Sequence, residues 1–405
     1  MTETEVAVLG GGLQGSAVAL ELASNGIRVD LYERETECMS QASAQNECKI
    51  HLGYVFANDP SLATARILSK GAFSFAPLMK RWLGDEFDNV SVSSPFYYLV
   101  HNDSMLPLET LERHYNAVHA INCEDKKNGD YFGISLNGPP TRVARSDYEG
   151  LCDPGRVQAI FQTSEIGIDP QELARLVKLR LAAEPNIRIR SNTTIVDIVQ
   201  DRTGVTVASE HCGVRHFERY GHAVNALWSG RLALDAKLGL VPRRPWSFRV
   251  KYFLRLQLRQ PADFPSTTIV LGPFGDTVNY RNGALFLSWY PIGMRGMSSN
   301  IVPPGRPKLR PDTEAEIRDG IVDALVPLIP RLSALDRSTI DNAQIKGGII
   351  FAWGDRDISD VTSELHHRHD IGPESFGRYH SIDTGKLTMA PFFAKQISDH
   401  IRTSL

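Results

Sequence analysis

Three glycines, Gly10, Gly12 and Gly15, stand in the spacing G-x-G-x-x-G, and an acid, Glu33, follows eighteen residues after the last of them. That set suits a dinucleotide carrying an ADP half. Gly10 permits a tight turn, Gly12 lets a pyrophosphate approach the backbone, and Gly15 lets a helix pack against a strand. The helix start at Gly12, Leu13 and Gln14 offers unpaired N–H groups and a partial positive charge, and a carboxylate at Glu33 can accept hydrogen bonds from a ribose. The motif leaves NAD and FAD both open. A second polar cluster, His366 to His369 ("HHRH"), does not make a metal site, because adjacent histidines diverge in an extended chain and no cysteine or carboxylate motif accompanies them. It is expected to be an exposed loop. The five cysteines are scattered without a C-x-x-C pair and read as reduced thiols.

The elements needed to position the glycines are present around them. Glu5 to Leu9 is an apolar run suited to a central parallel strand, a helix is expected from Leu13 to Ser24, and "IRVDLYER" forms the next strand, ending at Glu33. "GIDPQELARLVKLRLAAE" predicts a helix with Asp169 as cap, Pro170 in the first turn and Glu172 completing a capping box. "NIRIR" and a hairpin turning at Asp201 to Gly204 follow, and then the strand "HAVNALW". Beyond Trp228, "RVKYFLRLQL", "STTIVLGPF", "DTVNYRNG" and "ALFLSWYP" alternate as antiparallel strands do, with Asn282-Gly283 as a hairpin turn. "RPDTEAEIRDGIVDALVPLIPRL" predicts a helix capped by Asp312 or Thr313, and Phe393, Ile397 and Ile401 mark a closing helix.

At 405 residues the chain is long enough for two domains, and 42% hydrophobic residues can fill both cores. A net charge of −3 without basic runs gives no nucleic-acid surface, no apolar run approaches the roughly 18 residues of a membrane span, and the N-terminus lacks a basic leader. A cytoplasmic protein with a small-molecule partner is the expectation.

These residues and their order resemble the FAD-dependent D-amino acid oxidase superfamily, which includes glycine and sarcosine oxidases, glycerol-3-phosphate dehydrogenases and L-2-hydroxyglutarate dehydrogenases. "VNALWSGRLA" resembles its segment beside the dinucleotide, with Leu227 where the family has glycine, and implicates Ala226 and Trp228. "SIDTGKLTMAP" resembles its C-terminal flavin turn, which implies that Gly385, Lys386, Leu387 and Thr388 face the flavin. "SQASAQNECKIHLGYVFANDPSLATAR" is most similar to the hydroxyglutarate dehydrogenase branch. It implies cofactor contacts from Ser43 and Asn46 and a substrate or flavin role for His51, while Glu47, Cys48 and Lys49 replace small residues. Lys49 is expected to be solvated.

The resemblance implies an α/β fold, a Rossmann-like FAD-binding domain (1–88, 150–235 and 341–405) interleaved with an antiparallel-sheet substrate domain (89–149 and 236–340). From that sheet Tyr252, Tyr280 and Arg281 are the named substrate-side candidates, with Arg249, Lys251, Trp289 and Tyr290 beside them. A bidentate arginine with a tyrosine hydroxyl is a suitable carboxylate clamp. The implied activity is oxidation of a CH–NH or CH–OH bond in a small carboxylate-bearing substrate, by hydride transfer to flavin N5. An NAD-dependent dehydrogenase and a flavin-binding protein without turnover are the competing readings.

Overall fold

The first strand, Glu5–Leu9, lies at the centre of a six-stranded sheet because its side chains must be buried on both faces; Val6, Ala7, Val8 and Leu9 are fully enclosed. In the computed structural model, which describes residues 5–305, 308–335 and 338–404, the strand order is Gly372–Phe376, Tyr379–Asp383, His222–Asn225, Glu5–Leu9, Arg28–Tyr32 and Ile187–Arg190. All neighbours are parallel except the edge pair Gly372–Phe376 and Tyr379–Asp383. Leu9 is level with both Asn225 and Tyr32, and Asn225 is level with Ser381. Three connections, beginning near Gly10, Ala226 and Thr384, therefore leave the same carboxyl edge of the sheet, where ligands of open α/β sheets bind.

Helix Leu13–Ala23 packs on this sheet with every residue buried. It also packs against the closing helix Ala390–Thr403, which in turn contacts the long helix Ala63–Leu83. A meander of Thr193–Gln200, Val205–His211 and Val214–Tyr220 sits beside the sheet, its turn held by Asp201 Oδ1, which accepts from the Thr203 and Gly204 amides.

A second, nine-stranded sheet carries its own core of Leu254, Leu256, Leu285, Leu287, Ile317 and Ile321, among others. The four strands expected after Trp228 form as Trp246–Leu258, Thr267–Val270, Gly275–Asn279 and Ala284–Trp289. The sheet is mixed, not purely antiparallel: Tyr97–His101 runs parallel to Thr267–Val270. Strand membership also puts Val157–Gln162 and Ile340–Trp353 in this sheet, inside segments assigned from sequence to the nucleotide unit. Ile340–Trp353 pairs along nearly the whole length of Trp246–Leu258.

Two helix starts differ from expectation. Asp169 does cap helix Pro170–Ala183 by accepting from Gln171 N at 2.8 Å, but Glu172 makes no capping box. Its carboxylate instead accepts from the Ser91 amide (2.6 Å) and the Asn282 side-chain amide (2.7 Å), tying the helix to neighbouring loops. The other helix spans Pro311–Leu325 without a side-chain cap; Pro311 opens it, which leaves Asp312 in the first turn.

Candidate functional site

The two sheets enclose a cavity of about 830 Å³ that runs from the glycine turn to the floor of the nine-stranded sheet. At one end lie Gly10, Gly12, Leu13, Gln14 and Glu33 with Ala226 and Trp228; in the middle Ser43, Asn46, His51, Gly385, Lys386 and Leu387; on the floor Arg249, Lys251, Phe253 and Tyr290. Gly15 and Thr388 stand behind the wall.

The glycine turn leaves no room for side chains. Gly10 has φ +105° and a Cβ there would lie 2.7 Å from the Ala226 carbonyl oxygen; a Cβ on Gly15 would lie 1.9 Å from the Gly10 oxygen. Glu33 reaches back beneath the turn, accepting from Gly11 N and Glu35 N, both at 2.9 Å. One lone pair on each oxygen remains for a ligand hydroxyl. Burial raises its carboxyl above the usual range, and the two amides act against that shift.

Ser43 accepts from Leu13 N at 2.8 Å, so it braces the helix start. Asn46 closes its own loop, donating to Ala42 O (2.7 Å) and accepting from Cys48 N (2.6 Å). Gln14 bridges to the C-terminal segment by donating to Ala390 O and accepting from Thr384 Oγ1, both at 3.1 Å. Trp228 pins its corner to the long floor strand through Nε1 to Ile349 O at 2.8 Å. Gly385 turns with φ +59° and donates to Asp383 Oδ1 at 3.0 Å. Thr388 Oγ1 accepts from His51 N (3.0 Å) and donates to Lys49 O (3.3 Å), so the last turn and the His51 segment form one unit.

His51 is 5% exposed, and its Nδ1 is enclosed without a hydrogen-bond partner among the described residues. Burial, then the nearby Lys386, Lys49 and Arg368 charges, hold its pKa well below the usual histidine value. Behind it, the fully buried Glu165 accepts from Leu52 N at 2.7 Å and from the Tyr98 hydroxyl, fixing the backbone beside the imidazole.

The floor follows strand parity. Arg249, Lys251 and Phe253 face the cavity, whereas Tyr252 turns into the hydrophobic core on the other side with Val250 and Leu254. Tyr252 therefore does not line the cavity. Nor do Tyr280, whose hydroxyl donates to Glu47 O at 3.0 Å behind the wall, or Arg281, which sits in the turn and donates to Val92 O. Tyr290 takes the place expected of these tyrosines. It accepts from Arg249 Nη1 at 3.2 Å and donates to Asp357 Oδ2 at 3.1 Å.

Two other expectations are corrected. Lys49 is buried, with its ammonium bonded to Thr268, paired with Asp276 at 3.3 Å and seated over the Phe96 ring. The "HHRH" segment is not an exposed loop, since His366 and Arg368 are buried and line the cavity. Arg368 donates to Phe351 O at 3.4 Å, its Nε lacks a partner, and burial beside Arg249 brings its pKa down to about 9. Only the long-range packing of this loop reveals Arg368; the polar run itself carries no such signal. Among the described residues no group of three His, Cys, Asp or Glu side chains is placed to hold a metal ion.

The cavity fits FAD on its own geometry: a cradle that any Cβ would fill, a carboxylate with free lone pairs at the ribose end, and cations with an unpartnered imidazole nitrogen at the other.

Comparison with known proteins agrees. The family described as DAO, FAD dependent oxidoreductase, matches residues 5–380. A curated relative, the FAD-dependent monooxygenase FPY4 of Fusarium mangiferae, is 23% identical over 328 residues, 79% of this chain and 70% of that protein. Glycine oxidase from Geobacillus kaustophilus superposes with a TM-score of 0.70 at 15% identity, covering 99% of this chain and 95% of the other. An FAD-bound L-α-glycerophosphate oxidase from Mycoplasma pneumoniae gives 0.61 at 15% identity, covering 98% and 94%. The opening glycines thus belong to an FAD protein and the NAD reading falls. No helix among the described residues is long and apolar enough to cross a membrane.

Proposed function

The chain belongs to the DAO family of FAD-dependent oxidoreductases, and from that premise we propose that it oxidises a C–H bond next to an amine or hydroxyl in a small carboxylate-bearing substrate. The observation that carries the reading is the buried cation wall: Arg249 (3% exposed) and Arg368 (8%) line one cavity, each with an unpartnered Nε, and Arg249 is paired with the Tyr290 hydroxyl. A buried guanidinium with open donors is costly unless a ligand anion completes it. A planar carboxylate matches the fork geometry.

FAD supplies the acceptor for the hydride, and Gly10, Gly12, Leu13, Gln14, Glu33, Ala226, Trp228 and Gly385 to Leu387 are the residues proposed to hold it. Thr388, Ser43 and Asn46 keep those contacts in register through the bonds already described, and Gly15 does so by its close approach to Gly10. The chain's own chemical work falls to His51. Its neutral imidazole accepts the heteroatom proton at Nε2, the ring nitrogen not shut off from the cavity, and the surrounding cations make that proton short-lived, so it is returned to solvent. Arg249, Tyr290 and Arg368 fix the carboxylate and with it the orientation of the reacting carbon. Lys386, beside His51 and over Phe56, adds positive charge at the reacting end.

The test is an anaerobic screen of amino and hydroxy acids against the purified protein, following loss of the oxidised-flavin band. Bleaching by a carboxylate-bearing acid, reduced at least tenfold in rate in Arg249→Met, is the expected result. Flavin that no amine or hydroxy acid reduces would favour a binding protein without turnover.

A further inference from the structure

The cavity floor is not polar throughout. Beyond Arg249 and Lys251 the same strand presents Phe253, whose ring packs on Phe286 of the neighbouring strand with centroids 4.5 Å apart. The lining also includes Leu271, Phe274 beside Tyr290, and Phe56 beside His51. Phe274 is held over the cavity by packing on His101 (4.7 Å) and Trp289 (5.9 Å). A glycine permits this, since a Cβ on Gly272 would meet the Phe274 ring at 2.8 Å. The site therefore sets aromatic side chains next to its cations, with Phe253 and Phe286 beyond Lys251 along the floor and Phe56 and Phe274 beside Lys386 and Tyr290.

We propose that the substrate is amphipathic: a carboxylate for Arg249, Tyr290 and Arg368, carried by a bulky apolar, preferably aromatic, body that packs between Phe253, Phe286, Phe56 and Phe274. This rests on the carboxylate reading above and narrows it. A carboxylate without such a body would leave the aromatic side chains facing water, whereas an apolar body removes both surfaces from water. Aromatic faces add edge and stacking contacts. The Gly272–Phe274 turn is then a specificity device. It sets how far the body reaches, and a side chain at residue 272 displaces the ring that closes the pocket.

The experiment uses the FAD-loaded protein and two probes, acetate and 3-phenylpropanoate, titrated separately while the flavin absorption band is recorded, with calorimetry as a second readout. The inference expects 3-phenylpropanoate to bind at least tenfold tighter than acetate, and this ratio to fall at least fivefold in Phe274→Ala and in Gly272→Val. Phe274→Leu, a milder change, guards against misfolding and gives an intermediate ratio. Equal affinities for the two probes, both lost in Arg249→Met, would overturn the apolar half alone. If neither probe binds, or if Arg249→Met and Tyr290→Phe leave both affinities unchanged, the carboxylate reading falls and this inference with it.

Discussion

Lowering the pH from 7 to 5 weakens the fold through a buried histidine pair that ties strand His222–Asn225 to strand Tyr379–Asp383. His222 Nδ1 and His380 Nε2 are 2.9 Å apart, His222 Nε2 faces Arg378 Nη1 at 2.9 Å, and His380 Nδ1 faces Ser375 Oγ at 2.8 Å. Arginine can only donate, so His222 carries its hydrogen on Nδ1 and His380 accepts it on Nε2. A proton added to either ring would point at a donor already in place. Burial, with the Arg378 charge and the neighbouring histidines, accordingly brings His222 down to about 4 and His380 down to about 3. The unfolded chain, near the ordinary 6.5, binds these protons first. The contribution is therefore fully present above 6.5 and is lost as pH falls through the window down to the folded values. At pH 5 each ring lies about 1.5 units below its unfolded pKa, a penalty of about 2 kcal/mol apiece at 1.36 kcal/mol per unit. His380→Gln keeps an acceptor for His222 and a donor for Ser375 while removing one titration. Urea unfolding at pH 7 and pH 5 should show the variant losing about 2 kcal/mol less than the parent. An identical loss in both proteins, or no loss in the parent, would refute the assignment.

Other outcomes follow from the same geometry. Gly15→Ala forces the helix start off the Gly10 carbonyl and should leave the purified protein with little bound FAD. Gly138→Ala, where a Cβ meets nothing within 4 Å and the backbone is not left-handed, should retain the normal flavin content on gel filtration. Burial and the cations around it bring Lys386 down to about 8, so it loses its charge as pH rises through that value; carboxylate affinity should fall from pH 7 to pH 8.5, and Lys386→Met should remove that part of the fall and leave the part near pH 9 that belongs to Arg368. Lys49→Met leaves the Asp276 carboxylate without its ammonium partner and should cost about 3 kcal/mol in denaturant unfolding, with Lys49→Arg less severe.

Local chemistry accounts for what was legible in advance. The turn at Gly10 and Gly15, the Asp169 cap and the Asp201 hairpin are settled by residues close in sequence, and each forms as read. Errors began where one residue of parity or one distant contact decides. Tyr252 and Lys251 are adjacent, and only strand register says which faces the cavity. Glu172 has the right spacing for a capping box, yet Ser91 and Asn282 compete for its carboxylate from far along the chain. Strand Ile340–Trp353 begins with polar residues and contains Gly347-Gly348, so it lacks an alternating pattern and takes its conformation from its partner strand.

The sequence by itself determined the end of the cavity proposed to hold the nucleotide, because it is made from one turn, one helix start and one acid that neighbouring residues suffice to build. Tertiary structure decided the end proposed for the substrate. Lys49 and Arg368 are ordinary surface residues by composition, and they became buried cations only when Thr268 and Asp276 on one side and Phe351 on the other closed over them. A charge's environment depends on what packs around it, and at this end of the cavity those partners lie far away along the chain.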